Sequence, residues 1–272
     1  MQIVRDLEAL RAARAALGPL ALVPTMGALH AGHLSLVAAA RATGLKVAAS
    51  IFVNPLQFGP NEDLSRYPRD EAGDLAKLEA AGCDLAWLPS VAAMYPEGRA
   101  TTIEVGGPSE GWEGAARPGH FRGVATVCAK LFLQTGAAVA VFGEKDWQQY
   151  QVIRRMVADL DLPLRIIGGA TVREADGLAM SSRNRFLAPA ERALAPRLHQ
   201  AMQEAAAAIA SGTPPAAALG AARAGLASRG FGVDYLALVE PETLRETTTR
   251  PARLIAAARL GSVRLLDNIA AG

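Results

Sequence analysis

A chain of 272 residues is long enough for one large domain or two smaller ones, and we predict two. Apolar residues make up 51% of the chain and charged residues 20%, which describes a packed globular protein and argues against a disordered tail or a coiled coil. The 28 basic and 26 acidic side chains leave a formal net charge of only +2. This balance argues against a general nucleic-acid binder and favours a small-molecule partner.

The two cysteines, Cys83 and Cys128, have no CxxC spacing, so neither a disulfide framework nor a zinc site is indicated. We expect both to be buried, reduced thiols. Charged side chains interrupt the first 17 residues, which excludes the apolar core of a signal peptide. No segment reaches the roughly 18 apolar residues of a membrane span. We therefore expect a cytoplasmic protein with no membrane partner.

Along the first two thirds of the chain, short β-type runs alternate with helical stretches, the pattern of parallel βαβ units. Ile3, Leu7, Leu10 and Leu17 have helical spacing, and this predicts one amphipathic surface helix at the N-terminus. The predicted strands cover residues 20–24, 46–53, 84–88, 138–142 and 164–167. The helices predicted between and around them cover residues 34–42, 70–81, 124–134 and 147–160. Together they predict an open α/β sheet, in which ligands bind beyond the carboxyl ends of the strands.

The Gly168-Gly169 pair marks a break in this pattern. A polar loop, residues 173–185, follows it, and two alanine-rich helices separated by residues 211–215 come next. Three short β-type runs end the chain, at residues 233–239, 253–258 and 263–269. We predict a first domain over residues 1–170 and a smaller α+β lid domain over residues 171–272.

The strongest local signal is Pro24-Thr-Met-Gly-Ala-Leu-His-Ala-Gly-His33, which joins a strand to a helix. Its glycines let the backbone approach a phosphate, and a helix N-terminus favours anions. Two histidines, His30 and His33, can donate hydrogen bonds to charge that develops on phosphorus. A pair of histidines three residues apart also occurs as a helix cap or in a metal site, but a metal needs further ligands and the other histidines, His120 and His199, are far along the chain.

Two further motifs offer groups for a nucleotide. Phe142-Gly-Glu-Lys-Asp-Trp-Gln-Gln149 lies at a strand end, where Lys145 can bind phosphate and Asp146 can meet a ribose hydroxyl, although a solvated turn fits these letters as well. Ala179-Met-Ser-Ser-Arg-Asn-Arg185 sets two hydroxyls beside a guanidinium at the predicted domain break. There it suits a mobile clamp over a triphosphate, and its alternative is a plain linker with solvent-facing arginines.

A fourth motif, Phe52-Val-Asn-Pro-Leu-Gln-Phe-Gly59, follows the second predicted strand. Uncharged amides such as Asn54 and Gln57 can orient hydroxyl groups or a carboxylate, and Gln149 is in position to face them. Surface turns rich in asparagine and proline are common, so this motif carries weight only together with the others.

In this order, the motifs PTMGALHAGH, FVNPLQFG, GHFRGVATV, FGEKDWQQ and VREADGLAMSSRNRFL resemble those of the pantothenate synthetase (pantoate:beta-alanine ligase) family. The match is dense over residues 20–190, and the closing Leu265-Leu-Asp-Asn-Ile269 also fits. HxGH alone would indicate only the wider nucleotidyltransferase superfamily, whereas five ordered motifs are specific.

The resemblance implies a homodimeric ligase with a Rossmann-type ATP domain and a C-terminal lid, which joins pantoate to beta-alanine through a pantoyl adenylate with ATP and Mg²⁺. It implies that His33 is the proton donor and that His30, Lys145 and Arg183 act with it in catalysis. It implies pantoate binding by Gln57 and Gln149, with Gln57 also near beta-alanine. The implied ATP-binding residues are Met26, Gly27, Ala28, Leu29, His30, Ala31, Gly32, His33, Gly143, Glu144, Lys145, Asp146, Val172, Met180, Ser181, Ser182 and Arg183.

Two departures from the family pattern stand out. Cys128 replaces an aliphatic residue in a wall expected near pantoate, which is a mild change. Residues 69–77 also differ, so a magnesium partner there, Asp70 or Asp74, is left open and no metal ligand is assigned.

Three other functions compete with the ligase. A nucleotidylyltransferase of the same superfamily that acts on a phosphorylated alcohol is the alternative enzyme, but it should need extra basic residues for its substrate. An aminoacyl-tRNA ligase lacks support because no basic RNA-binding domain is visible. A nucleotide-sensing protein without turnover is the alternative from another class, and the complete histidine pair argues against it.

Overall fold

We describe the protein from a computed structural model, which describes residues 1–60, 62 and 64–271. These residues form two compact units. The first comprises Met1–Glu144 and Gln148–Ala170, and the second comprises Lys145–Trp147 and Thr171–Gly272. Within the described part of the chain, no helix is both long and apolar enough to span a bilayer.

The first unit is built on a six-stranded parallel sheet with the order β1-β4-β3-β2-β5-β6. Its strands are β1 (Gln2–Val4), β2 (Leu20–Thr25), β3 (Lys46–Ile51), β4 (Leu85–Trp87), β5 (Val139–Gly143) and β6 (Arg165–Gly169). The central strands are almost continuously apolar and buried, as expected of a parallel sheet covered on both faces. The chain order reverses between β2 and β5, and ligands of open α/β sheets bind beyond the strands at such a point.

Helices cover both faces of this sheet. They are α1 (Leu7–Leu17), α2 (Ala31–Arg41), α3 (Glu71–Ala80), α4 (Val91–Met94), α5 (Trp112–Ala116), α6 (His120–Thr135) and α7 (Trp147–Asp159). One apolar cluster packs around Leu10, Trp87 and Phe132, and another around Val37 and Leu78. The motifs that follow the central strands therefore extend from a rigid, doubly covered sheet.

The N-terminal prediction is wrong in one respect. Instead of one helix from the first residues, the chain first forms β1, which pairs with β4 at the sheet edge, Gln2 opposite Leu85. The helix begins only after Asp6, whose side chain accepts a hydrogen bond from Ala9 N and caps it. Three residues are too few to show the period of a strand, so the helical spacing of Leu7 and Leu10 extends the predicted helix too far back.

The second unit contains a three-stranded antiparallel sheet, β7 (Gly232–Val239), β8 (Ala252–Leu260) and β9 (Val263–Ala271). Three helices accompany it: α8 (Pro189–Leu194), α9 (Arg197–Ala210) and α10 (Pro215–Ala227). Their apolar faces and the sheet share one core that includes Leu198, Met202, Leu226 and Leu254. The predicted α/β class, a parallel sheet together with a smaller α+β part, is confirmed.

Candidate active site

The loop between β2 and α2 presents the two histidines at the first turn of the helix. His30 is the N-cap of α2, and its Nδ1 accepts from Gly32 N at 3.1 Å. The Nδ1 of His33 accepts from His30 N at 3.3 Å, so the two side chains form a reciprocal cap, with ring centroids 4.1 Å apart. Because each Nδ1 accepts from a backbone N–H, the proton of each neutral ring is on Nε2. The helix start therefore carries two oriented Nε2–H donors.

A buried carboxylate holds the backbone of the same loop. Asp74 of α3 is 1% exposed, and its two oxygens accept from Ala28 N and Leu29 N, each at 2.7 Å. Lys77, one turn further along α3, donates to Leu29 O at 3.0 Å. The loop needs this support because Gly27 and Ala28 both have positive φ, +85° and +52°. Asp74 thus fixes the position of the peptide groups that precede His30.

Asp70 and Asp74, the possible magnesium ligands on α3, both accept hydrogen bonds from the backbone. Both oxygens of Asp74 already accept backbone N–H groups, and Asp70 caps the helix by accepting from Gly73 N. Among the residues the structure describes, no group of three or more His, Cys, Asp or Glu side chains is arranged to hold a metal ion. These residues therefore do not fit a dedicated, protein-held magnesium site.

Gln57 lies in a 3₁₀ turn, Pro55–Gln57, after β3, and its amide is held by two neighbours. Its Oε1 accepts from Asn54 Nδ2 at 3.1 Å, and its Nε2 donates to the sulfur of Met26 at 3.0 Å. The Gln57 side chain is therefore in contact with the histidine-bearing loop.

Asn54 has a different role from the one predicted. It is 1% exposed, and its amide oxygen accepts from Leu56 N and from the Tyr95 hydroxyl, at 3.2 and 2.7 Å. Its amide nitrogen donates to Gly123 O as well as to Gln57. All of its polar atoms are thus used inside the protein, so Asn54 orients Gln57 and does not itself present an amide to a ligand.

His120 of the GHFRG motif, and Arg117 just before that motif, support the backbone of the Gln57 turn. His120 Nδ1 donates to Gln57 O at 2.9 Å, and Arg117 Nη2 donates to the same oxygen at 3.3 Å. Arg117 also forms ion pairs with Glu62 and Glu113, at 2.7 and 3.5 Å. Burial, with the adjacent Arg117 cation, lowers the pKa of His120 to about 4. Sequence reasoning assigned this motif no role, and its structural role is to position the backbone of Gln57.

The remaining predicted residues of the first unit lie at the end of β5 or after it. Gly143 ends that strand and pairs with Gly169, while Glu144 passes so close to Gly168 that a Cβ there would lie 2.6 Å from its carboxylate. Gln149 is half-exposed on the first turn of α7. Its neighbour Gln148 is buried and is used structurally, as an acceptor from Glu113 N at 2.9 Å.

Cys128 is buried in the main apolar cluster of the first unit, and burial raises the pKa of its thiol to about 12. As expected, both cysteines are buried and reduced.

In the second unit, the predicted residues form two segments. Lys145 and Asp146 lie in a 3₁₀ turn, with Lys145 Nζ 3.4 Å from the Asp146 carboxylate. Val172 and Met180 are paired across a small hairpin by the hydrogen bond from Met180 N to Val172 O, at 3.0 Å. Ser181 then caps the 3₁₀ turn Ser182–Phe186 by accepting from Arg183 N.

Comparison with known proteins gives one consistent family. The family model described as Pantoate-beta-alanine ligase matches residues 2–270. The chain is 63% identical to the pantothenate synthetase of Acidiphilium cryptum, over 99% of this chain and 100% of that one. It is 59% identical to the pantothenate synthetase of Rhizorhabdus wittichii, over 99% of this chain and 98% of that one.

Two solved structures agree. The pantothenate synthetase of Thermus thermophilus superposes with a TM-score of 0.95 at 50% identity, covering 100% of this chain and 99% of that one. The pantoate-beta-alanine ligase of Francisella tularensis, solved with beta-gamma ATP and beta-alanine, gives a TM-score of 0.84 at 31% identity, covering 100% of this chain and 98% of that one. This protein is a member of the pantoate-beta-alanine ligase family.

Proposed function

We propose that this protein condenses pantoate with beta-alanine in a reaction driven by ATP, giving pantothenate, AMP and pyrophosphate. The observation that carries the proposal is the reciprocal cap of His30 and His33, which orients two Nε2–H donors at a helix start beyond β2. Membership of the ligase family supports it, and so does the related Francisella structure solved with a nucleotide and beta-alanine.

In the first step, a carboxylate oxygen of pantoate attacks the α-phosphorus of ATP. A new P–O bond forms, the bond to the β-phosphate bridging oxygen breaks, and pyrophosphate leaves with that electron pair. His33 and His30 donate hydrogen bonds to the phosphate oxygens on which negative charge grows, and His33 is the proton donor. Oriented donors need no rearrangement during the step, which is why the cap geometry matters.

In the second step, the neutral amine of beta-alanine attacks the acyl carbon of pantoyl adenylate. The C–N bond forms, the acyl C–O bond to AMP breaks, and the amine loses a proton to solvent or to the departing phosphate. The mixed anhydride is already activated, so this step requires no protein nucleophile.

We assign the binding roles from the motifs that this chain shares with the family. Gln57 and Gln149 bind pantoate, and Gln57 is also near beta-alanine. Lys145 and Arg183 supply positive charge for the phosphates, as catalytic residues alongside the two histidines. The proposed ATP contacts are Met26 to His33, Gly143 to Asp146, Val172 and Met180 to Arg183, with residues 171–272 as the lid domain.

The side-chain amide of Gln57 has uncharged neighbours, which favours pantoate over a phosphorylated alcohol as the substrate. The two neighbours of its amide are the amide of Asn54 and the thioether of Met26, neither of which is a phosphate-binding group. We further propose that Mg²⁺ enters bound to the phosphates of ATP, that two copies of the chain form a homodimer, and that the protein works in the cytoplasm.

The test separates the two steps. Purified protein with ATP and pantoate alone should release pyrophosphate. If the adenylate stays bound, the rapid release should not exceed one equivalent per active site. AMP should be released when beta-alanine is added. Reactions without pantoate, or with a phosphorylated alcohol in its place, are the controls. Pyrophosphate release that does not depend on pantoate would contradict the proposal.

A further inference from the structure

Two consecutive buried residues of β9, Asp267 and Asn268, each reach a different segment of the second unit. They are 5% and 4% exposed, and they lie opposite Ala256 and Ile255 of β8. Adjacent residues of a strand direct their side chains to opposite faces of the sheet. Two neighbouring residues of one strand can therefore each bind a different segment, one on each face of the sheet.

Asp267 holds the hairpin that leads to the serines and Arg183. Its two oxygens accept from the guanidinium of Arg173, at 2.6 and 2.9 Å, a bidentate pair of the strong, directional kind. Arg173 also donates to Gly177 O at 3.1 Å, across the turn of the hairpin. His199 Nδ1 is 3.5 Å from the same carboxylate. Burial by itself raises the pKa of Asp267, but the nearby His199 and the hydrogen-bonded Arg173 outweigh it and the pKa is lowered, so the carboxylate stays charged.

Asn268 holds the segment that carries Lys145. Its Nδ2 donates to Lys145 O at 2.8 Å, and its Oδ1 accepts from Nη1 of Arg253. The same Arg253 guanidinium lies over the ring of Trp147, 3.4 Å from its centroid, and Trp147 Nε1 donates to Pro241 O at 2.7 Å. Asn268 therefore fixes the peptide group of Lys145 directly, and Trp147 through Arg253.

We propose that Asp267 and Asn268 are positioning residues for ATP: together they fix the Lys145 segment and the Val172–Arg183 segment to one strand, so that both move as one body. This inference rests on the proposed function, because the two segments carry the residues assigned to the nucleotide. Neither Asp267 nor Asn268 is among the residues assigned to a substrate, so they are assigned a role through the two segments that they hold. Their effect is to set the spacing of charges before ATP arrives, which avoids reorganisation during the reaction.

The experiment compares steady-state constants of the full-length protein, measured as pantoate-dependent pyrophosphate release with beta-alanine present at a saturating concentration so that the enzyme turns over. Asn268→Asp keeps the size of the side chain and the acceptor for Arg253, but it places a carboxylate oxygen against Lys145 O. Asn268→Ala removes both the donor to Lys145 O and the acceptor for Arg253 without adding a charge, and it is the second variant. Since a misplacement of about 1 Å can cost on the order of 100-fold in rate, we expect KM for ATP to rise or kcat to fall by about tenfold in each variant.

The diagnostic measurement is whether the KM for ATP changes while the KM for pantoate does not. The KM for pantoate should stay within about twofold, because the anchors of Gln57 all lie in the first unit. Asp234→Asn is the matched control: Asp234 is on the same sheet and pairs with Arg264 at 2.6 Å and Arg259 at 3.7 Å, yet it reaches neither segment. Because the charge removed from Asp234 lies outside both segments, this control should leave both KM values unchanged.

Each result decides the matter. Unchanged kinetics in a folded Asn268 variant, or a KM for pantoate that rises as much as that for ATP, overturns the positioning role. The role also fails if neither Asn268 variant folds, since the pair would then determine the fold only. Wild-type protein without pantoate-dependent pyrophosphate release defeats the proposed function instead, so the two failures are distinguishable.

Discussion

The histidine loop of the first unit and the Lys145 segment of the second unit are held by different means. One buried carboxylate, Asp74, accepts two backbone N–H groups of the histidine loop and lies on a helix that packs against its own sheet. The Lys145 segment depends on a side-chain amide, Asn268, whose other end engages the guanidinium of Arg253. The first anchor contacts backbone directly, whereas the second works partly through another long side chain.

This difference predicts unequal tolerance. A carboxylate with both oxygens committed to buried N–H groups has no substitute among the other side chains, because only a carboxylate offers two acceptors in that geometry. The contacts of Asn268 run in part through the long side chain of Arg253, which can change its rotamer after a substitution. The loss of activity should therefore be partial. Substitutions at the first anchor should therefore have the larger effects.

The largest combined effect on stability and rate is expected for Asp74→Asn. The amide can accept only one of the two N–H groups and turns its own donors towards the other, so a buried donor is left without a partner. We expect a loss of about 3 kcal/mol in the free energy of unfolding and on the order of a 100-fold lower adenylation rate. Denaturant titration and pantoate-dependent pyrophosphate release measure the two quantities.

Asp70→Asn is the matched control for this variant. Asp70 is on the same helix, but it serves as an N-cap, a position where asparagine and aspartate are about equally good. The free energy of unfolding and the adenylation rate of Asp70→Asn should stay near those of the wild type. Similar behaviour of the two variants would show that Asp74 is no special anchor and would remove the contrast between the two segments.

A loss mainly of catalytic rate is expected for His33→Ala. Removing a proton donor or charge-stabilising donor should lower the adenylation rate by on the order of 100-fold or more, while the lost cap bond costs about 1 kcal/mol of stability. His33→Gln is the control for the cap, since glutamine at this helix position can accept from the N-cap backbone N–H. If His33→Gln regains wild-type turnover, the imidazole donor is not needed and the assigned role is wrong.

A smaller effect, on stability alone, concerns His120. Its folded pKa of about 4 is below the value near 6.5 of the unfolded chain, so between these values the unfolded chain binds more protons. The contribution of His120 to stability is complete above pH 6.5 and is lost as the pH falls. Between pH 7 and pH 5 it should decrease by about 2 kcal/mol.

The measurement is the free energy of unfolding across this pH range. His120→Asn retains a donor in place of Nδ1 without a titrating group, and its stability should depend less on pH by that amount. Arg117, Glu113 and Glu62 surround the imidazole and are unchanged in the variant. Equal slopes for the two proteins would contradict the assignment of a neutral His120.

Local pattern made much of this molecule predictable. The apolar run at Leu20–Thr25 and the Gly-rich turn after it predicted the strand and the loop, because each depends on residues close in sequence. The helix that follows was also predicted, although it begins at Ala31, three residues before the predicted residue 34. The edge strand Gln2–Val4 could not be predicted in the same way. It is stabilised by pairing with a strand more than 80 residues away and by the burial of Val4, and three residues carry too little pattern.

The anchors of the site were not predictable for a similar reason. Asp74 is 46 residues from Ala28, and Arg173 is 94 residues from Asp267. One signal was present: Asp74 shares a helix face with Leu78, and a carboxylate on an apolar face calls for a buried partner. The partner itself, two backbone N–H groups in a distant loop, cannot be identified from the sequence, because every residue except proline has such a group.

Gly123 has a consequence for attempts to change the acid that the enzyme accepts. A Cβ at this position would lie 2.2 Å from Leu56 O, so α6 and the Gln57 turn meet main chain against main chain. Trimming side chains cannot widen a contact that contains none, and adding one would push the turn away. Libraries aimed at new acids should therefore leave position 123 constant and vary residues whose side chains, rather than backbone, form the surface.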